Sequence, residues 1–283
     1  MRDGQPSATA FGAARHRAVH QDLDGGVVFS DPLAWAILGV DDRARIVESA
    51  RAGSRHGLRW FIAARHRFAE DRARIATTRG VRQVAVLGAG LDTFAYRQPD
   101  PAVTVFEVDH PATGKWKRER LRQAGIAIPA SVRTIGVDFE RDDLIAAMTV
   151  GGFAPDDAAV VMWLGVMPYL TPPAVATTLG AFGAMADCEI VFDYSAPITD
   201  PDAAALAAAS DLRARTARVG EPLSDPVAPA ELHRVLRTAG FTVIDDLDRP
   251  AIRRRILGLE PLGGSGGGHI ISARTGEVSA KRP

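Results

Sequence analysis

Val84-Ala85-Val86-Leu87-Gly88-Ala89-Gly90-Leu91-Asp92-Thr93 joins an apolar run to a glycine turn and then to a short acidic-polar step. Without a Cβ, Gly88 and Gly90 can take positive φ and let the backbone approach a bound ligand closely. A dinucleotide fingerprint would carry a third glycine and aim a helix N-terminus at a pyrophosphate. That position is Thr93, and Asp92 beside it would repel phosphate and favour a cationic cofactor. The turn therefore suits an adenosyl cofactor. The next apolar run ends in Phe106-Glu107-Val108-Asp109-His110-Pro111, with acids 17 and 19 residues beyond Gly90. An acid at that strand end can accept both ribose hydroxyls. Alternation puts Glu107 and Asp109 on one side of the strand; Asp109 is the preferred ribose ligand, with Glu107 as the alternative or as an orienting group. A third run ends in Gly136-Val137-Asp138-Phe139-Glu140. There Asp138 can accept from an adenine amino group while the Phe139 N–H serves a ring nitrogen, although a strand-end Asp also serves as a plain helix N-cap.

These residues need strands to carry them to one edge. Seven strand-like runs are readable: Val84 to Leu87, Val103 to Val108, Val132 to Val137, Ala158 to Leu164, Glu189 to Tyr194, Phe241 to Asp245 and Ile270 to Ala273. They alternate with helical patterns from about residue 57, the signature of an α/β chain with a mostly parallel sheet covered on both faces. Val160-Val161-Met162-Trp163 is apolar without alternation and belongs at the sheet centre. Leu58 to Thr78 has helical spacing and stops at Gly80; Pro172 to Ala186 and Pro229 to Ala239 read as crossover helices. The connection from Ser195 to Pro229 is too long for a simple crossover, and its alanine-rich Asp202 to Ala217 segment reads as a helix within an inserted lid. Gly263 to Gly268 has no following Lys-Ser or Lys-Thr, so it reads as a flexible hairpin turn and not a phosphate loop.

The expected organisation is a single domain over 1–283: a helical cap (1–56), a cofactor-binding core (57–195), the lid (196–228) and the C-terminal part of the core sheet (229–283). Of the 283 residues 46% are hydrophobic, enough for one sizeable core. Lys plus Arg and Asp plus Glu number 34 each, so no net field argues for nucleic acid. No run reaches the roughly 20 apolar residues that span a bilayer, and the first residues lack an apolar signal core; the expectation is a soluble, cytoplasmic protein with no membrane partner. The lone Cys188 is expected to be a buried thiol, and the seven histidines show no metal-ligand spacing.

Four segments together carry a family resemblance: Ala64-Arg65-His66-Arg67-Phe68-Ala69-Glu70-Asp71, Leu87 to Arg97, Phe106 to Pro111, and Trp163-Leu164-Gly165-Val166-Met167-Pro168-Tyr169-Leu170-Thr171. The chain resembles the leucine carboxyl methyltransferase-like branch of class I S-adenosylmethionine-dependent methyltransferases. The resemblance implies a Rossmann-like seven-stranded sheet with a reversed last strand, an N-terminal helical cap and an insertion before the sixth strand. It also implies S-adenosylmethionine as cofactor, with Arg65 on its carboxylate (Arg67 being the alternative), the Gly88-Ala89-Gly90 turn on its methionine moiety, Asp109 on ribose, and Asp138 with Phe139 on adenine. A guanidinium fork matches a carboxylate bidentately. Asp92, Glu107 and Val108 complete the cofactor shell.

One position departs from that pattern. The family places a glutamate two residues before Val166, and this chain has Leu164. The methionine ammonium must then rely on backbone carbonyls near Gly88 and Trp163, and the archetypal protein-phosphatase acceptor is not expected. Trp163, Met167 and Tyr169 can line a pocket for an apolar acceptor, with a core role for Trp163 equally open. No motif nominates a catalytic base, which favours a carboxylate over a hydroxyl acceptor on a small molecule or peptide such as a secondary metabolite. The alternatives are a nicotinamide-dependent reductase, opposed by Thr93 and by the lack of a Tyr-x-x-x-Lys pair, and a cofactor-binding protein without transferase activity.

Overall fold

The computed structural model describes residues 7–53, 56–199, 203–260 and 265–276. Three cap helices come first: α1 (Ala8–Leu23), α2 (Ala34–Leu38) and α3 (Arg43–Ala52). The core then runs α4 (His56–Thr78), β1 (Gln83–Leu87), α5 (Phe94–Arg97), β2 (Thr104–Asp109), α6 (Pro111–Gln123), β3 (Val132–Gly136), α7 (Leu144–Val150) and β4 (Ala159–Trp163). A single 3-10 turn (Met167–Tyr169) leads to α8 (Pro172–Gly183), β5 (Cys188–Thr199), α9 (Ala203–Arg218), α10 (Pro229–Thr238), β6 (Val243–Leu247), α11 (Arg249–Arg255) and β7 (Ser265–Arg274). The sheet order is β3-β2-β1-β4-β5-β7-β6, with only β7 antiparallel to its neighbours. The seven strands are those read from the sequence, and the reversed last strand is the one the family resemblance implies. Order reverses between β1 and β4, and ligands of open α/β sheets bind at that switch point, outside the carboxyl ends of the strands.

The period-2 pattern of the central strands splits the core into two layers. Leu87, Val108, Val161, Trp163, Phe192 and Tyr194 face one side, against α7, α8 and α10. Val86, Val105, Val160, Met162 and Val191 face the other, under α4 and α11. A third cluster joins the cap to the core: Ala14 and Ala18 of α1 and Ile37 and Leu38 of α2 pack with Leu91 and Leu121. The free thiol of Cys188 is buried, as its apolar surroundings predict.

The glycine-rich segment differs from the reading of the sequence. Residues 263 and 264 lie outside the described residues, but Gly266, Gly267 and Gly268 belong to β7, with Gly267 opposite Ala196 and Gly268 opposite Ser195. Gly268 is needed for packing, because a Cβ there would come within 2.8 Å of the Phe61 ring. β5 correspondingly runs on to Thr199 before the lid helix α9 starts. The pairing of a long β5 with β7 supplies backbone partners to glycines that local propensity assigns to a turn.

Candidate active site at the carboxyl edge of the sheet

Gly88 (φ +63°) and Gly90 (φ +43°) turn the chain directly after β1. The end of β2 shapes that turn: the Val108 carbonyl accepts the N–H groups of Gly88 (2.7 Å) and Ala89 (3.1 Å), and Asp109 Oδ2 accepts the Gly90 N–H at 2.6 Å. Asp109 Oδ1 accepts the His110 N–H, also at 2.6 Å. Burial raises the Asp109 pKa, while these two N–H donors act against it. Each carboxylate oxygen has two lone pairs, so an aspartate pinned in this way keeps acceptor capacity for a diol. A cleft of about 160 Å³ opens beside it, lined by Asp109, Pro111, Gly114, Arg118, Thr134 and Gly136. A larger hollow of about 480 Å³ lies between the cap and the start of α4, among Asp22, Arg51, His56 and Arg59, with no strand-end residue in its lining.

The glycines serve chain packing as much as ligand approach. A Cβ on Gly88 would stand 2.2 Å from Val166 Cγ2, and one on Gly90 would stand 2.9 Å from the Ala10 Cβ of α1. The loop after β4 and the first turn of α1 therefore press on the turn.

Glu107 and Asp109, on one side of β2, have separate roles. Glu107 is 3% exposed and accepts from Lys117 Nζ (2.7 Å) and from the Tyr96 hydroxyl (2.5 Å); Lys117 also reaches the Ala89 carbonyl at 3.3 Å. Glu107 thus props the turn from below, and Asp109 is the acid left at the edge. Asp92 also turns inward: its Oδ1 accepts the Phe94 N–H at 2.7 Å, and its Oδ2 lies 3.3 Å from His66 Nε2. Burial opposes its ionisation, yet the His66 hydrogen bond and the charges of Arg17 and Lys117 hold its carboxyl far below the usual range. Its charge is spent inside the protein, which corrects the expectation that it selects a cationic cofactor.

A buried network fastens the cap beneath the turn. Arg17 donates to Asp31 and to the Leu91 carbonyl, Thr93 donates to Asp31, and Arg97 pairs with Glu70 and donates to Thr93.

Asp138 and Phe139 follow β3, beside the end of β2, where the Val137 N–H donates to the Asp109 carbonyl at 2.9 Å. Asp138 Oδ1 accepts the Glu140 N–H at 3.0 Å, and Phe139 packs half-buried against the layer that faces α7, α8 and α10. At the end of β4 the Trp163 side chain is wholly buried, its ring centroid 5.7 Å from that of Phe192 and its indole N–H without a partner. Its side chain is core, so only its backbone is offered to the edge. Leu164 packs half-buried against the layer under α4 and α11.

Arg65 reaches across from α4. Its Nη1 donates to Asp193 Oδ2 at 2.8 Å, and its buried Nε has no partner. Arg67 instead pairs with Asp71 on the surface. Over this edge stand Met167, buried, and Tyr169, whose phenol pKa is pushed up by burial. The segment between α9 and α10 meets the same place. Glu221 accepts the N–H groups of Ala8 and Thr9, each at 3.1 Å, and the Ser224 N–H donates to the Pro168 carbonyl at 2.7 Å.

The edge thus brings together Gly88, Ala89, Gly90, Asp109, Asp138 and Phe139, with the Trp163 and Leu164 backbone and the Arg65 guanidinium; Glu107 and Asp92 stay inside. Lys117, Asp193 and Glu221 were not legible as site residues. Asp193 alone left a signal, as an acid within the apolar run Ile190-Val191-Phe192, where a buried charge demands a partner. A sequence profile described as leucine carboxyl methyltransferase matches residues 10–183, more than half of the chain and all of the edge up to Tyr169.

The chain belongs to the leucine carboxyl methyltransferase family. A protein of Mycolicibacterium paratuberculosis, provisionally named an S-adenosyl-L-methionine-dependent methyltransferase, is 35% identical over 210 residues, covering 66% of each chain. A Mycobacterium relative with the same provisional name is 36% identical over 183 residues, or 59% of each chain. The matches thus span less than two thirds of these relatives' length. A Bacillus subtilis protein so named is 25% identical over 274 residues, covering 87% of this chain and 90% of its own. Among solved structures, one from Thermobifida fusca, provisionally named a methyltransferase, shares the fold with a TM-score of 0.60 at 17% identity, over 98% of this chain and 97% of its own. Among the described residues, no helix of this family member is long and apolar enough to cross a membrane.

Proposed function

We propose that the protein is an S-adenosylmethionine-dependent O-methyltransferase acting on a carboxylate of a small molecule or peptide. The carrying observation is the Asp109 carboxylate, held by the Gly90 and His110 N–H groups at the switch point with lone pairs to spare. The rest of the edge fits the same ligand. Arg65 offers a buried, unpartnered Nε for an amino-acid carboxylate, and Asp138 with the Phe139 backbone stands beside Asp109 where an adenine ring would lie.

When bound, S-adenosylmethionine supplies a methyl group already activated on a sulfonium sulfur. The chain's task is then to hold donor and acceptor in line and to exclude water. The cap and lid suit that task, since α1, the loop after β4 and the 219–228 segment meet over the strand ends. A carboxylate acceptor is ionised at neutral pH and needs no base. Burial keeps the Tyr169 phenol protonated, which disfavours it as a base.

Calorimetry tests the donor: S-adenosylhomocysteine is expected to bind and NADPH not to, and the reverse would overturn the reading. Asp138→Ala is expected to weaken that binding by roughly 1–3 kcal/mol. Transfer of a labelled methyl group into an extract of the native producer tests the acceptor: a base-labile product is the ester expected, and a base-stable ether excludes carboxyl transfer.

A further inference from the structure

Asp193 lies on β5 between Phe192 and Tyr194, on the face covered by α4, outside the residues that match the family profile. The Asp193 and Arg65 side chains are only 6% and 9% exposed. One carboxylate holds two elements: Oδ2 accepts from Arg65 Nη1 at 2.8 Å and Oδ1 accepts the Gly165 N–H at 2.6 Å. The guanidinium is pressed against the backbone it shares this carboxylate with, because a Cβ on Gly165 would fall 2.6 Å from Nη2 and 2.8 Å from Nη1. The next residue, Val166, fills the space over Gly88. A single acid thereby sets the arginine, the loop after β4 and, through Val166, the glycine turn, yet leaves Arg65 Nε without a partner.

We propose that Asp193 is a positioning residue that clamps Arg65 Nη1 and the Gly165 N–H together, so that the free edge of the guanidinium is presented to the amino-acid end of an S-adenosyl ligand. The inference rests on the adenosyl reading above. Arginine on its flexible stem would lose rotamer freedom on binding a carboxylate; clamped by Asp193, it loses that freedom on folding instead. The pair also keeps the buried site neutral before the ligand arrives. Its separated charges complement a zwitterion, whereas Leu164 and Val166 on either side of Gly165 carry none.

Two nucleosides separate this role from general support of the fold. S-adenosylhomocysteine carries the amino-acid end; 5′-methylthioadenosine keeps the adenosine and the thioether but lacks it. Asp193→Asn has one acceptor oxygen for two donors, so one bond is lost with little change in shape. It is expected to weaken S-adenosylhomocysteine binding about tenfold or more and to leave 5′-methylthioadenosine binding unchanged. The double variant Arg65→Met/Asp193→Leu removes both charges, which buried sites tolerate, and is expected to give the same split. Unchanged S-adenosylhomocysteine affinity in both variants overturns the proposal, and so does an equal loss for both nucleosides, which would make Asp193 a fold residue only. Binding of neither nucleoside by the unmodified protein brings down the adenosyl reading itself, and the inference with it.

Discussion

Substituting Gly88 by alanine tests whether the glycine turn is shaped by its neighbours in the chain. Two costs are separable. Gly88 sits at φ +63°, where an L side chain costs roughly 1–2 kcal/mol. The added Cβ would also stand 2.2 Å from Val166 Cγ2, and displacing a packed side chain costs typically about 1–3 kcal/mol. Gly88→Ala is therefore expected to lower stability by roughly 2–5 kcal/mol. Val166→Ala removes the clashing methyl, and the Val166 Cβ is 3.3 Å from the new atom, close enough to need only a small shift. In that background Gly88→Ala should cost the backbone part alone, so the two substitutions should couple by about 1–3 kcal/mol in chemical denaturation. Gly80→Ala is the control: φ there is +103° and nothing lies within 4 Å of its Cβ, so only backbone strain remains and Val166→Ala should not alter it. If Gly88→Ala and Val166→Ala add within about 0.5 kcal/mol, the steric argument is refuted and the glycine is required by backbone conformation or ligand approach alone.

Three more outcomes follow from the buried charges. Lys117→Met strands Glu107, 3% exposed, without its cation; the expected loss is roughly 3–5 kcal/mol near neutral pH, shrinking in acid as Glu107 protonates, as urea denaturation at several pH values would show. Burial pushes Glu70 up to about 7 from 4.5 despite Arg97. The folded protein then holds a proton that the unfolded chain has lost, so this contribution to stability is complete below 4.5 and disappears as pH rises through 7; Glu70→Gln should flatten that slope. Glu221→Ala frees the first N–H groups of α1, with an expected loss of about 1 kcal/mol and faster hydrogen exchange at Ala8, Thr9 and the 219–228 segment; unchanged exchange would show that the lid does not hold the cap.

The site was legible where its signals are local. The Gly88-Ala89-Gly90 turn and the acids at the ends of β2 and β3 lie next to the strands that carry them, and strand order at the switch point brings them together. Between Glu107 and Asp109 the sequence prefers Asp109 and keeps Glu107 as the alternative, since they share one face of β2 and no neighbour along the chain shows which is paired inside. Lys117 holds Glu107 in the core and leaves Asp109 at the edge. Asp92 differs for a related reason: its hydrogen-bond partner His66 is on α4 and the compensating charges of Arg17 and Lys117 come from α1 and α6, so a turn seen alone shows an uncompensated acid.

Periodicity, glycine stops and strand-end acids, all effects of short-range sterics and side-chain alternation, let the sequence by itself determine the seven strands, the alternating helices, and the gathering of a glycine turn and acids at one edge of the sheet. Tertiary structure alone decided what fills the space over Gly88 and Gly90, which acid stays at the sheet edge, and which carboxylate holds Arg65. Those outcomes depend on groups 128 residues apart for Arg65 and Asp193 and 212 apart for Thr9 and Glu221. A buried ion is stable only beside a counter-charge; the partner is set by which strand and helix lie alongside, and no spacing along the chain encodes that.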